Sequence, residues 1–95
     1  MATLLTAPER EDLRMATLAY LATCNTAAFT SGQLAPILRR RRAVGFPFTD
    51  GDMDGALAFL EGQGWTRGID SGFGGSRAYQ VTSPGVLEAE RRGFC

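Results

Sequence analysis

The 95 residues predict an α+β fold, mainly α: three helices, a two-stranded β-hairpin and a C-terminal helix. Three observations predict it. Short polar residues of the helix-capping type stand ahead of four stretches whose apolar residues recur at helical spacing. Past Gly64 the apolar period shortens to that of a strand on both sides of a glycine-rich tip. Glycines then close the third and the last helical stretches where the pattern stops.

The first helix opens on Thr6-Ala7-Pro8-Glu9 and should run to about Thr23. This is a capping box, in which the Thr hydroxyl and the Glu carboxylate satisfy free amide donors reciprocally. At about 100° per residue, Met15, Leu18, Leu21 and Ala22 share one face, while Leu13, Ala16 and Tyr20 lie nearly opposite. Two apolar faces need two partners. One is the core, and the other is either the C-terminal segment folding back or another subunit. The next two helices share one start signal. Phe29-Thr30-Ser31-Gly32-Gln33-Leu34 and Phe48-Thr49-Asp50-Gly51-Asp52-Met53 each set an aromatic at N′, Thr at the N-cap, a polar acceptor at N3 and an apolar residue at N4.

The second helix turns Leu34, Ile37 and Leu38 inward and ends in Arg39 to Arg42, whose charge suits a helix C-terminus. Pro36 lies past the first turn and should kink the helix or delay its start. The third helix presents Met53, Ala56, Leu57 and Leu60 at i, i+3, i+4 and i+7, and Gly62 and Gly64 stop it. Trp65 to Ile69 and Arg77 to Val81 alternate as a hairpin around residues 70 to 76. Ser83 as N-cap with Pro84 at N1 starts a last helix from Pro84 to about Arg92, and Gly93 ends it.

The length fits one domain over residues 1–95. Without His and with only two Cys, a zinc finger, a His-based acid-base site and a Cys-His dyad are unavailable, and no catalytic set, cofactor or metal site is expected. The uncharged run from Met15 to Leu38 is broken by Thr, Asn, Ser, Gly, Gln and Pro, so no membrane span is expected. The chain opens without a basic n-region, which makes the cytoplasm the expected compartment and keeps Cys24 and Cys95 reduced there.

Ten Arg balance ten Asp and Glu, so any attraction to a polyanion must be local. The balance is a cancellation between blocks. Residues 29 to 48 carry only Arg39, Arg40, Arg41 and Arg42, a +4 block, and residues 49 to 64 carry only Asp50, Asp52, Asp54 and Glu61, a −4 block. The absence of Lys fits a compositional bias toward Arg, or selection of the guanidinium for phosphate or carboxylate recognition.

Three helices, a hairpin with a glycine-rich tip and a further helix make the winged helix-turn-helix plan. The stretch Ala56-Leu57-Ala58-Phe59-Leu60-Glu61-Gly62-Gln63-Gly64-Trp65 resembles the end of the recognition helix in PadR-like and MarR-like regulators. Arg77-Ala78-Tyr79-Gln80-Val81-Thr82-Ser83-Pro84-Gly85 resembles the strand and helix start that follow their wing. The resemblance implies a transcriptional regulator on double-stranded DNA, with the third helix in the major groove and the wing tip on the backbone or minor groove. By position it implies groove-facing Thr49, Asp50, Asp54, Gly55 and Ala58, and wing contacts from Arg67, Ser76 and Arg77. It also implies Arg39, Arg40, Arg41 and Arg42 near the DNA backbone, and a homodimer through the first and last helices.

The chain departs from that pattern on the third helix. Asp50, Asp54 and Glu61 face phosphate with the wrong sign, while Gly51, Gly55 and Ala58 carry no long donor to a base edge. An Asp can accept from cytosine N4, and carboxylates are also favoured at a helix N-terminus for structural reasons. Successive helical residues diverge, so the four arginines cannot all touch one strand, and some must pair with Asp52, Asp54 or Glu61 or be solvated. The alternative reading is a winged helix used as a protein-interaction module that binds no DNA. Asp50 to Glu61 also matches the spacing of a calcium loop, but Gly45 and Pro47 before it and Gly62 and Gly64 after it leave no room for the two helices that such a loop joins. Phe73 at the hairpin tip either meets a groove or a protein, or folds back on its own hairpin.

Overall fold

The computed structural model describes residues 5–70 and 77–94. The elements follow in the order α1 (Ala7–Thr23), β1 (Phe29–Thr30), α2 (Ser31–Arg40), α3 (Asp50–Gly62), β2 (Thr66–Asp70), β3 (Arg77–Val81) and α4 (Ser83–Arg91). The architecture is α+β and mainly helical, as the sequence predicts.

A threonine on extended backbone caps every helix. Thr6, Thr30 and Thr49 form reciprocal boxes with Glu9, Gln33 and Asp52. Asp52 is long enough for this, because its carboxylate accepts from the Thr49 amide at 2.8 Å. The cap of α4 is Thr82 and not Ser83, so the helix spans Ser83–Arg91 with Pro84 in its first turn. Thr82 wins because its hydroxyl is used twice. It accepts from the Gly85 amide at 3.2 Å and donates to the Gly64 carbonyl at 2.6 Å, which ties the start of α4 to the end of α3. Pro36 does not delay α2, which runs through it from Ser31. The proline leaves the carbonyl of Gly32 without its helical donor, and Gly32 is exposed to water.

Three helices end with the same pair of bonds. Trp65 N–H donates to Leu60 O at 3.0 Å, Phe94 N–H to Ala89 O at 2.8 Å and Ala43 N–H to Leu38 O at 3.1 Å, each beside a shorter-loop bond from the preceding residue. This is the Schellman ending, which needs a left-handed residue at C′. Gly64 and Gly93 supply it for α3 and α4 with φ of 79° and 78°. For α2 it is Arg42, with φ of 52°.

The hairpin gains a third strand that the sequence pattern did not announce. The sheet is antiparallel in the order β1-β3-β2, with Phe29 opposite Tyr79 and Thr30 opposite Ala78. β1 is two residues long and doubles as the lead-in and cap of α2, so no alternation marks it. β2 begins at Thr66, one residue later than expected. The tip, including Phe73 and Ser76, lies outside the described residues.

Leu13, Leu18, Leu21, Leu34, Leu38, Met53, Leu57 and Leu60 form the buried centre. On α1 the burial follows one broad arc of Leu13, Thr17, Leu18, Leu21 and Ala22 and not two opposed faces. Thr17 joins the two apolar sets because its hydroxyl donates to the Leu13 carbonyl at 2.7 Å, which lets a polar residue sit in the core. The second partner of α1 is α4 of the same chain, whose Ala89 is fully buried. Among the described residues, no helix is long and apolar enough to cross a membrane.

Candidate nucleic-acid interface

By burying Met53, Ala56, Leu57 and Leu60, α3 turns Gly51, Asp54, Gly55, Ala58 and Gly62 outward on the opposite face. A Cβ added at Gly55 or Gly62 would meet nothing within 4 Å. The face is therefore smooth, with the Asp54 carboxylate as its chief polar group. Thr49 is exposed, but its hydroxyl is occupied by the Asp52 amide at 3.1 Å.

The acidic block is largely consumed inside the fold. Asp52 caps its own helix, Asp50 faces Arg39 at 3.3 Å, and Glu61 accepts from the Gly68 amide at 3.0 Å and from the Arg77 guanidinium at 2.7 Å. Among the described residues Asp54 alone of the four has no such partner. Because Asp50–Gly62 is a continuous helix, its carboxylates cannot wrap an ion as a calcium loop does.

The basic block divides sharply. Arg39 donates to the Phe48 carbonyl at 2.8 Å, faces Asp50 and lies over the Phe48 ring at 4.8 Å, so it fastens α2 to the start of α3. Its anionic partner is Asp50, and not the Asp52, Asp54 or Glu61 that the sequence offered. Arg41 lies 5.0 Å over the Tyr20 ring. Burial, and then a hydrogen bond with Cys24, push the Tyr20 phenol above its ordinary value. Arg40, Arg41 and Arg42 are exposed, and among the described residues none of them has a carboxylate partner.

At the base of the wing, the two expected contacts separate. Arg67 is exposed and donates to the neutral Gln80 side chain at 3.2 Å. Arg77 instead crosses β2 to reach Glu61 on α3. Gly68 makes that crossing possible, since a Cβ there would collide with the Arg77 guanidinium. Sixteen residues separate Glu61 from Arg77, and only the folded sheet brings them together, so no local spacing signals the pair.

Across the described residues, Arg14, Arg39, Arg77, Arg91 and Arg92 pair with carboxylates. Of the five arginines without such a partner, Arg10 donates to the Leu5 carbonyl at 3.0 Å in the first turn of α1, Arg67 stands on β2, and Arg40, Arg41 and Arg42 cluster at the end of α2. The order β1, α2, α3 and the β2-β3 hairpin, with β1 paired to β3, is consistent with a winged helix-turn-helix fold.

The chain is similar in fold to a solved transcriptional regulator from Clostridium thermocellum, with a TM-score of 0.74 and 13% sequence identity over 96% of this chain and 85% of that one. No family model matches the chain, and no curated protein matches it in sequence.

Proposed function

We propose that the protein is a one-domain winged-helix regulator that binds double-stranded DNA. The observation that carries this reading is the fate of the two charge blocks. The acidic block is spent on a cap, on Arg39 and on the wing, while Arg40, Arg41 and Arg42 stay exposed and without carboxylate partners among the described residues. An overall neutral chain thus keeps a local cationic surface of the kind that phosphate contact requires. Its smooth α3 face lets a duplex approach closely, with Asp54 as an acceptor for a cytosine N4 donor. PadR-like or MarR-like ancestry fits the same surface. A homodimer through α1 and α4 fits the exposure of Leu87, which is 59% accessible on the outer side of α4.

The test is a gel-shift titration on random-sequence duplex at low salt, with Arg40→Ala/Arg41→Ala as the comparison. Binding that weakens in the double variant supports the reading. Failure to bind at tens of micromolar, or binding indifferent to the substitutions, sinks it in favour of a protein-interaction module. That second reading draws on the outward Asp54 and the glycine-lined face of α3.

A further inference from the structure

We infer that Arg42 is the phosphate anchor of the α2–α3 turn, held in a left-handed backbone position for the sake of that contact. The inference rests on the DNA reading above and gives one residue of that surface a particular role.

The reasoning starts from three equivalent helix ends. α2, α3 and α4 close with the same two backbone bonds, and the C′ residue is Gly64 in one, Gly93 in another and Arg42 in the third. In the left-handed region the Cβ of an L residue crowds the following carbonyl, which is why glycine is the usual occupant. Glycine would serve at position 42 as it does at 64 and 93, so the arginine is disfavoured by the backbone that carries it.

The other members of the run have explanations inside the fold. Arg39 is fastened to Phe48 and Asp50. Arg40 sits in the last turn of α2, where a cation is favoured by the helix dipole. Arg41 lies over Tyr20. Arg42, at C′, shares that dipole benefit, which does not exceed the cost of a left-handed L residue, and it is exposed, with no carboxylate, hydrogen-bond or aromatic partner for its side chain among the described residues. The side chain is therefore kept for a group outside the chain.

That group is anionic, and the surroundings favour phosphodiester over an acidic protein. Protein interfaces are built around buried apolar and aromatic anchors with charge at the rim. The exposed large apolar residues, Ile69 and Leu87, lie outside this turn, which exposes Arg41, Arg42, Ala43, Gly45, Pro47 and Thr49 and half-buries Val44 and Phe46. A surface of guanidinium groups and small residues suits a sugar-phosphate backbone.

The experiment compares the wild-type chain with Arg42→Gly and Arg42→Ala, by thermal melting and by titration of a labelled random-sequence duplex across a salt series. Arg42→Gly is expected to melt roughly 4 °C or more above wild type, because glycine relieves the left-handed strain. Arg42→Ala keeps the strain and should melt close to wild type. Both variants should bind duplex roughly three- to tenfold more weakly, the weight of one charge-assisted contact. Both should lose about 0.9 from the slope of log affinity against log salt. Wild-type binding that survives unchanged in both variants overturns the role of Arg42 and leaves the DNA reading standing. A glycine variant with no gain in melting temperature, or one that fails to fold, overturns the trade between strain and contact. A wild-type chain that ignores duplex at tens of micromolar overturns both. Preference for polyglutamate over duplex, lost in Arg42→Ala, assigns the residue to an acidic protein and overturns the phosphate anchor.

Discussion

Thr66 opens β2 at 2% exposure, and its Oγ1 reaches no hydrogen-bond partner among the described residues. It contrasts with Thr17, equally buried but bonded to Leu13 O, and with Thr82, whose hydroxyl is used as both donor and acceptor. A hydroxyl buried without a partner costs about 1–3 kcal/mol in lost hydration. Thr66→Val keeps the branched shape, suits a strand and removes that group. It should raise stability by about 1 kcal/mol, or roughly 4–8 °C in Tm for a chain of this size. A lower Tm in the valine variant would mean that the hydroxyl is satisfied in solution. Thr66 is buried and so offers no surface to a duplex, and affinity measured alongside should not move. The same scale separates residues that build the surface from residues that present it. Arg39 and Arg77 belong to the first kind and Arg42 to the second, although all three read alike in sequence.

Two helical glycines show how an element's surroundings decide the sign of one substitution. Gly55 lies in the middle of α3 with open space where a Cβ would stand, and Gly85 lies in the first turn of α4 with a Cβ position that would strike the Trp65 carbonyl and come within 2.8 Å of Val81 Cγ2. Gly55→Ala should therefore stabilise by about 0.5–1 kcal/mol, the helix-propensity difference. Gly85→Ala should destabilise by roughly 1–3 kcal/mol, the usual cost of overpacking. Urea titrations of the two variants read both signs, and Gly55→Ala losing stability would mean that α3 is not the free helix described. Neither sign is legible in sequence, because what stands beside each glycine comes from the rest of the fold. What was legible is whatever local chemistry encodes: the Thr boxes at three helix starts, the 53-56-57-60 stripe of α3 and the glycine stops. β1 was hidden because two residues carry no period and already serve the α2 cap. Arg42 was hidden because a left-handed C′ is signalled by glycine, and an arginine there gives no sign. The Glu61–Arg77 tie was hidden because it exists only once the sheet has formed over the end of α3.

At the scale of the whole molecule, zero net charge conceals a division between spent and available charge. The +4 and −4 blocks adjoin in sequence, and mutual cancellation would have left nothing for a polyanion. The fold instead matches Arg39 with Asp50 and routes Glu61 to Arg77 across β2, so the two blocks touch at one pair among the described residues. Besides Arg10, which donates to the Leu5 carbonyl beside α1, Arg40, Arg41, Arg42 and Arg67 remain as cations able to reach phosphate. If each neutralises one phosphate, log affinity for duplex should fall with log salt at a slope of about −3.6 per protomer, from roughly −0.9 per contact. A dimer engaging both halves of a site would double that figure, so the slope also reports assembly on DNA. The wing gives the sharper comparison. Arg67→Ala should lower the magnitude of the slope by about 0.9, whereas Arg77→Ala, whose guanidinium is held by Glu61, should leave it unchanged. Equal losses from the two variants would show that duplex draws Arg77 off Glu61. In that case Glu61→Gln, which weakens the hold on Arg77, should raise affinity, and no gain in that variant would leave Arg77 as a support of the wing alone.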